Sequence, residues 1–111
     1  MEKLTLNQLR DACYSTAYKK GWHDKPRTLG DFLMLMVSEL AEALEEYRNG
    51  KDIDEVYLVD GKPEGVPVEI ADVLIRIFDF CGYHDIDIEQ VTLDKMEYNG
   101  MRPYRHGGKA L

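Results

Sequence analysis

A chain of 111 residues, 44% hydrophobic and 32% charged, has the composition of one soluble globular domain with a modest core that gains from oligomerisation. Its 21 acidic and 14 basic residues give a net charge of −7, which disfavours a nucleic-acid-binding surface. No apolar run is long enough for a membrane span, and "MEKLTLNQLRDACYS" has neither the apolar core nor the cleavage site of a signal peptide, so a cytoplasmic protein with no membrane partner is expected.

The first predicted helix runs from Thr5 to Lys20, carries Leu6, Leu9, Cys13 and Ala17 at helical spacing, and stops near Gly21. The second begins at Thr28, an N-cap candidate with Asp31 three residues on, and ends at Asn49-Gly50. Residues 51–66, "KDIDEVYLVDGKPEGV", are a connector in which "VYLV" makes a short strand beside a turn at Asp60-Gly61. A third helix follows Pro67, which suits a first turn, and reaches Gly82. The fourth is capped by Asp85 or Asp87 and continues to Asn99-Gly100, short of Pro103. The expected fold is all-α, a single domain over residues 1–111 with residues 102–111 a flexible basic tail. From Lys95 onward four basic residues and one acidic give a local +3, which leaves −10 for residues 1–94. Cys13 and Cys81 lack C-x-x-C spacing and read as reduced small hydrophobes, not a disulfide or a zinc site.

The second helix concentrates the chemistry. At about 100° per residue, Leu33, Met36, Val37, Leu40, Leu44 and Tyr47 form the expected core stripe. Glu39, Glu42 and Glu46 fall within about 60° of one another on a different face, which continues back to Leu35 and Phe32. Carboxylates that extend an apolar face belong to a cleft, where they are costly unless a cation neutralises them. The third helix repeats the design: Glu69 and Asp72 share a face with Val73 and Phe80, while Ile70, Leu74, Ile77 and Cys81 make its main stripe. An intrahelical Asp72–Arg76 pair accounts for only one of its two carboxylates.

The sequence therefore offers E-x-x-E and E-x-x-D, with 26 residues between the inner members. Four converging carboxylates suit a hard divalent cation, Mg²⁺ or Mn²⁺. A di-iron bundle needs E-x-x-H pairs, and no glutamate has a histidine three residues later. An isolated E-x-x-E reads as a solvated helix face; two such pairs in buried-looking helices favour a metal site. Lys95, Asn99 and Arg102 lie at i, i+4 and i+7 on a line continuing Ile88 and Val91. They either meet an anion in the same cleft or simply suit a helix C-terminus. No P-loop, Rossmann or zincin motif is present, and His23, His84 and His106 are isolated, so no nucleophilic triad is supported.

"SELAEALEEYRNG", "VPVEIADVLIRIFDFC" and "KMEYNGMRPYRHG" resemble, in this order, the motifs of MazG-like nucleotide pyrophosphohydrolases of the all-α NTP pyrophosphatase superfamily. The resemblance covers residues 28–106 and implies a four-helix MazG-like bundle completed by oligomerisation as a homodimer or homotetramer. It implies Glu39, Glu42, Glu69 and Asp72 as Mg²⁺ ligands, Lys95 and Asn99 as phosphate contacts, and the reaction NTP + H₂O → NMP + PPi. On this reading Lys95 is also catalytic and Arg102 helps bind substrate. Glu46 is a candidate base, and Trp22 or His23 stacks on the nucleobase. The chain departs from the pattern at Ser38, where some members carry a further glutamate, and at Arg76, where others place a nucleotide-contacting tyrosine. Two rivals stand beside it: a non-catalytic helical oligomerisation or regulatory module, and a specialised phosphoribosyl-ATP or deoxynucleotide pyrophosphatase. The physiological role would be house-cleaning of the nucleotide pool.

Overall fold

Two threonines set where the first helices begin. A computed structural model of the chain describes residues 3–111; Met1 and Glu2, which open the expected domain, lie outside the described residues. Thr5 and Thr28 hold extended backbone, and each hydroxyl accepts from the amide three residues on, Gln8 and Asp31. The Gln8 and Asp31 side chains accept in return from the threonine amides. Each reciprocal pair satisfies two amides that a helix start leaves bare. Helix α1 accordingly spans Leu6–Lys19 and α2 spans Leu29–Arg48.

The connector folds into a hairpin of β1 (Tyr57–Val59) and β2 (Lys62–Glu64), with Tyr57 opposite Glu64 and Val59 opposite Lys62. Asp60 and Gly61 both have positive φ, 51° and 81°, as a two-residue turn between right-twisted strands requires. Helix α3 spans Val66–Tyr83 with Pro67 in its first turn, and α4 spans Ile88–Met101. Of the two cap candidates for α4 it is Asp87 whose carboxylate accepts from the Gln90 amide. A single left-handed turn, α5 (Arg105–Gly108), with positive φ at all four residues, lies in the exposed tail. The chain is thus mainly helical, and among the described residues no helix is long and apolar enough to cross a membrane.

Helix α3 is the centre of the protomer. Both α1 and α2 pack on it, β2 touches it, and α4 leans on α1. A Cβ on Gly82 would collide with the Tyr14 side chain, so the α1–α3 crossing requires glycine there. Phe32 near the start of α2 meets Phe80 and Tyr83 near the end of α3, which makes α2 and α3 antiparallel. Phe32, Ala43, Phe78 and Cys81 are buried, and Tyr14, His23, Tyr83 and His84 extend the aromatic cluster around Phe32. Both cysteines are free thiols, Cys81 buried and Cys13 half-buried. Helix α4 is tied by polar contacts: Asn7 Nδ2 donates to Asp87 at 2.8 Å, and Arg10 Nη1 donates to the Ile86 carbonyl at 2.8 Å.

The burial of α2 reverses the sequence expectation. Leu33, Val37, Leu40, Leu44 and Tyr47, read as the core stripe, are 45–60% exposed in the single chain. Its buried residues are Phe32, Glu39 and Ala43, on the acidic face. On α3 the expected stripe is split: Ile70 and Leu74 are exposed while Cys81 is buried as expected, together with Glu69 and Phe78 from other faces. The reason is the number of neighbours. Among the described residues α2 packs extensively on α3 alone, and it buries the face turned toward that helix. Periodicity marks the faces that are apolar, not the one that meets a neighbour within the same chain.

Candidate functional site

Because α2 and α3 run antiparallel, the middle of α2 lies beside the first turns of α3, and this is where the acidic residues meet. One carboxylate oxygen from each of Glu39, Glu69 and Asp72 lies within 4.8 Å of the others. Glu39 is 8% exposed and Glu69 7%, so like charges are crowded where desolvation already penalises each one. Glu39 is partly compensated: Arg76 donates to its Oε1 from Nη2 at 3.2 Å and from Nε at 3.3 Å. This corrects the expected intrahelical Asp72–Arg76 pair. The guanidinium reaches across to α2, where a more deeply buried carboxylate gains more from it. Burial and then the Glu39 charge push the Asp72 carboxyl up, with Arg76 opposing them.

Glu69 is the least compensated group. Its Oε2 is buried and has no hydrogen-bond partner among the described residues. Burial first, then a side-chain hydrogen bond with Glu42, then the charges of Glu42, Asp72 and Glu39 push its carboxyl up to about 7. A hydrogen bond between two carboxyl groups exists only while they share a proton. Glu42 is itself exposed and borders the group from the α2 side, and three of the four motif carboxylates, Glu39, Glu69 and Asp72, have oxygens gathered within 4.8 Å.

The hairpin adds groups that the sequence did not single out. Side chains alternate along a strand, so the register sets Tyr57, Lys62 and Glu64 on one face. The Tyr57 hydroxyl donates to Glu46 at 2.8 and 3.1 Å, and this bond is the main reason its own pKa is pushed up to about 12. Oxygens of Glu46, Glu64 and Glu69 lie within 4.8 Å of one another. Lys62 Nζ pairs with Glu64 Oε1 at 3.2 Å, and the bond to Glu64, with the charges of Glu69 and Glu42 behind it, pushes its pKa up. The turn at Asp60-Gly61 was a legible hairpin signal. Where the hairpin lands was not.

Beside the carboxylates opens a cleft of about 490 Å³, lined by Leu9, Cys13 and Ala17 of α1, by Trp22, and by Glu39, Asp72 and Arg76. Its α1 wall is apolar and its α2/α3 wall is charged. Trp22 is 58% exposed, with the Arg27 guanidinium 5.7 Å from its ring centre. His23 turns inward. Its side chain is 3% exposed, Nε2 donates to Asp79 Oδ1 at 2.7 Å, and Nδ1 has no partner. The ring sits against Tyr14, Phe32 and Tyr83 and is not part of the cleft wall.

Lys95, Asn99 and Arg102 lie on α4 and its C-cap, away from this cluster. Lys95 and Arg102 stand over the Tyr98 ring, 4.8 and 5.6 Å from its centre. Among the described residues no side-chain hydrogen bond or ion pair joins any of the three to Glu39, Glu42, Glu69 or Asp72. Comparison of the chain with protein-family models, curated proteins and solved structures gave no match.

Proposed function

We propose that the chain is a Mg²⁺- or Mn²⁺-dependent nucleoside triphosphate pyrophosphohydrolase of the MazG-like kind, acting in the cytoplasm as a homodimer or homotetramer. The observation that carries this reading is the gathering of Glu39, Glu69 and Asp72 between α2 and α3, with Glu39 and Asp72 on the wall of the cleft and Glu69 Oε2 buried and unpartnered among the described residues. The donor set fits the ion: it is all carboxylate oxygen, as a hard divalent cation prefers, with no thiolate or imidazole for a softer metal. Such an ion neutralises phosphate charge and lowers the pKa of a water it holds.

The chain's own residues supply the remainder. Leu9, Ala17 and Trp22 offer an apolar wall against which a nucleobase stacks. Arg76, on the charged wall of the cleft, brings positive charge to the triphosphate. Water attacks the α-phosphorus, the α–β anhydride bond breaks, and NMP and pyrophosphate leave. Lys95, Asn99 and Arg102 make no link to the cluster within one chain, so their part depends on assembly. The exposed stripes of α2 and α3 support a second copy as the covering partner.

A panel of canonical and modified NTPs and dNTPs, together with phosphoribosyl-ATP, incubated with Mg²⁺ and resolved for PPi against Pi, tests the reading. Pyrophosphate is expected as the first product. Orthophosphate as the first product overturns the proposed bond cleavage, and no turnover on any member favours a helical oligomerisation or regulatory module.

A further inference from the structure

We infer that Glu46, Glu64 and Glu69 form a second hard-cation site, fed by the connector hairpin and joined to the first through Glu69 as a bridging carboxylate. It extends the metal-centre reading above by sharing Glu69, but its other two ligands, Glu46 and Glu64, lie outside the E-x-x-E and E-x-x-D pairs.

Three features carry this beyond a crowd of acidic side chains. The first is Glu69 itself, 7% exposed, with Oε2 buried and unpartnered, and with an oxygen close to both groups of carboxylates. Arg76 neutralises one side of the cluster at Glu39; no basic side chain pairs with Glu69 among the described residues. The second is spacing. Octahedral ligands about 2.1–2.4 Å from a cation stand about 3–3.4 Å apart when adjacent and about 4.2–4.8 Å apart when opposite. The three oxygens all lie within 4.8 Å of one another, no farther apart than two opposite ligands of such a cation.

The third feature is how the ligands are held. Both Glu46 oxygens accept from the Tyr57 hydroxyl, which fixes the carboxylate in the way that outer hydrogen bonds orient metal ligands. The hairpin register seats Glu64 directly opposite Tyr57. Lys51 stands over the Tyr57 ring, 4.3 Å from its centre, and Lys62, which pairs with Glu64, has a side chain 77% exposed, so its ammonium can leave Glu64 for solvent at little cost. It stands in for the ion and is displaced by it. Glu46, a candidate base on the sequence, is then a ligand.

Mn²⁺ alone is the probe. The metal-stripped full chain is titrated with Mn²⁺, with bound and free ion separated by EPR and folding checked by circular dichroism. Glu64→Gln and Glu46→Gln each bind one Mn²⁺ fewer than wild type. Tyr57→Phe weakens that ion about 10–100-fold and leaves the others, and Lys62→Met tightens it. Glu39→Gln and Asp72→Asn weaken the other site and keep this one. Equal numbers and affinities of Mn²⁺ in wild type, Glu64→Gln and Glu46→Gln overturn the second site. Loss of an ion in Glu64→Gln with no change in Glu39→Gln or Asp72→Asn leaves it standing and removes the metal centre on which nucleotide hydrolysis rests.

Discussion

Glu69 makes the metal-free protein sensitive to pH in a direction that its burial dictates. Its carboxyl is raised from 4.5 to about 7, so the fold favours the protonated form. That contribution is complete below the unfolded value and is lost as pH rises through about 7. Asp72 is raised for the same reasons, burial and the Glu39 charge, and adds with the same sign. Metal-free protein in chelator should therefore lose on the order of 2–3 kcal/mol between about pH 5 and pH 8, read as a falling melting temperature. Glu69→Gln should flatten that slope and raise the melting temperature at the alkaline end. Saturating Mg²⁺ should restore stability there, by about 2.7 kcal/mol at a hundred times the dissociation constant. It should do so least at acid pH, where protons compete for the ligands. A wild-type melting temperature that ignores both chelator and millimolar Mg²⁺ would count against the centre. The carboxylates themselves were legible because both helices set two of them on otherwise apolar faces. Arg76 was misassigned because spacing within one helix offers Asp72, while the true partner, Glu39, lies on another helix.

At the scale of the element, the boundaries followed from chemistry written locally. Thr28 with Asp31, Pro67 and Asp87 each satisfy or replace bare amides at a helix start, and each is readable without knowing the fold. The Asp60-Gly61 turn is equally local. What was not legible depends on contacts between elements: which face of α2 is buried, and that the hairpin delivers Lys62 and Glu64 to α3. Gly82 shows the same divide. In the sequence it reads as a helix end; in the structure it lies inside α3 and lets the Tyr14 side chain approach the backbone. Gly82→Ala carries a better helix former, so propensity alone predicts a gain. The contact predicts the opposite, a loss of about 1–3 kcal/mol as α1 is pushed off α3. Chemical denaturation separates the two. Because α1 forms one wall of the cleft, the same substitution should raise KM for any nucleotide that stacks there.

The whole molecule is more open than its length requires. A compact chain of this size has a radius of gyration of about 13 Å, against 16.6 Å here. A folded monomer of this mass exposes about 6,300 Å², against 8610 Å². The excess is of the size that one partner contributes to an obligate dimer, about 1,000–2,500 Å², and the exposed apolar stripe of α2 runs from Leu33 to Tyr47. Sedimentation should therefore give at least twice the 12.8 kDa chain mass, with a melting temperature that rises with protein concentration. Leu40→Asp with Leu44→Asp should weaken both effects. Assembly also decides what Lys95 does. If a neighbouring chain's α4 supplies it, Lys95→Ala and Asp72→Asn chains, each impaired alone, should recover activity when mixed and reassembled, since a mixed dimer keeps one intact site. Where Lys95 meets charge developing on departing pyrophosphate, its loss should cost kcat by about 2.7–4 kcal/mol; a ground-state contact should raise KM alone. No recovery on mixing would place Lys95 with its own chain's cleft. Wild-type turnover by Lys95→Ala would reduce α4 to a support for α1, which holds its N-cap through Asn7.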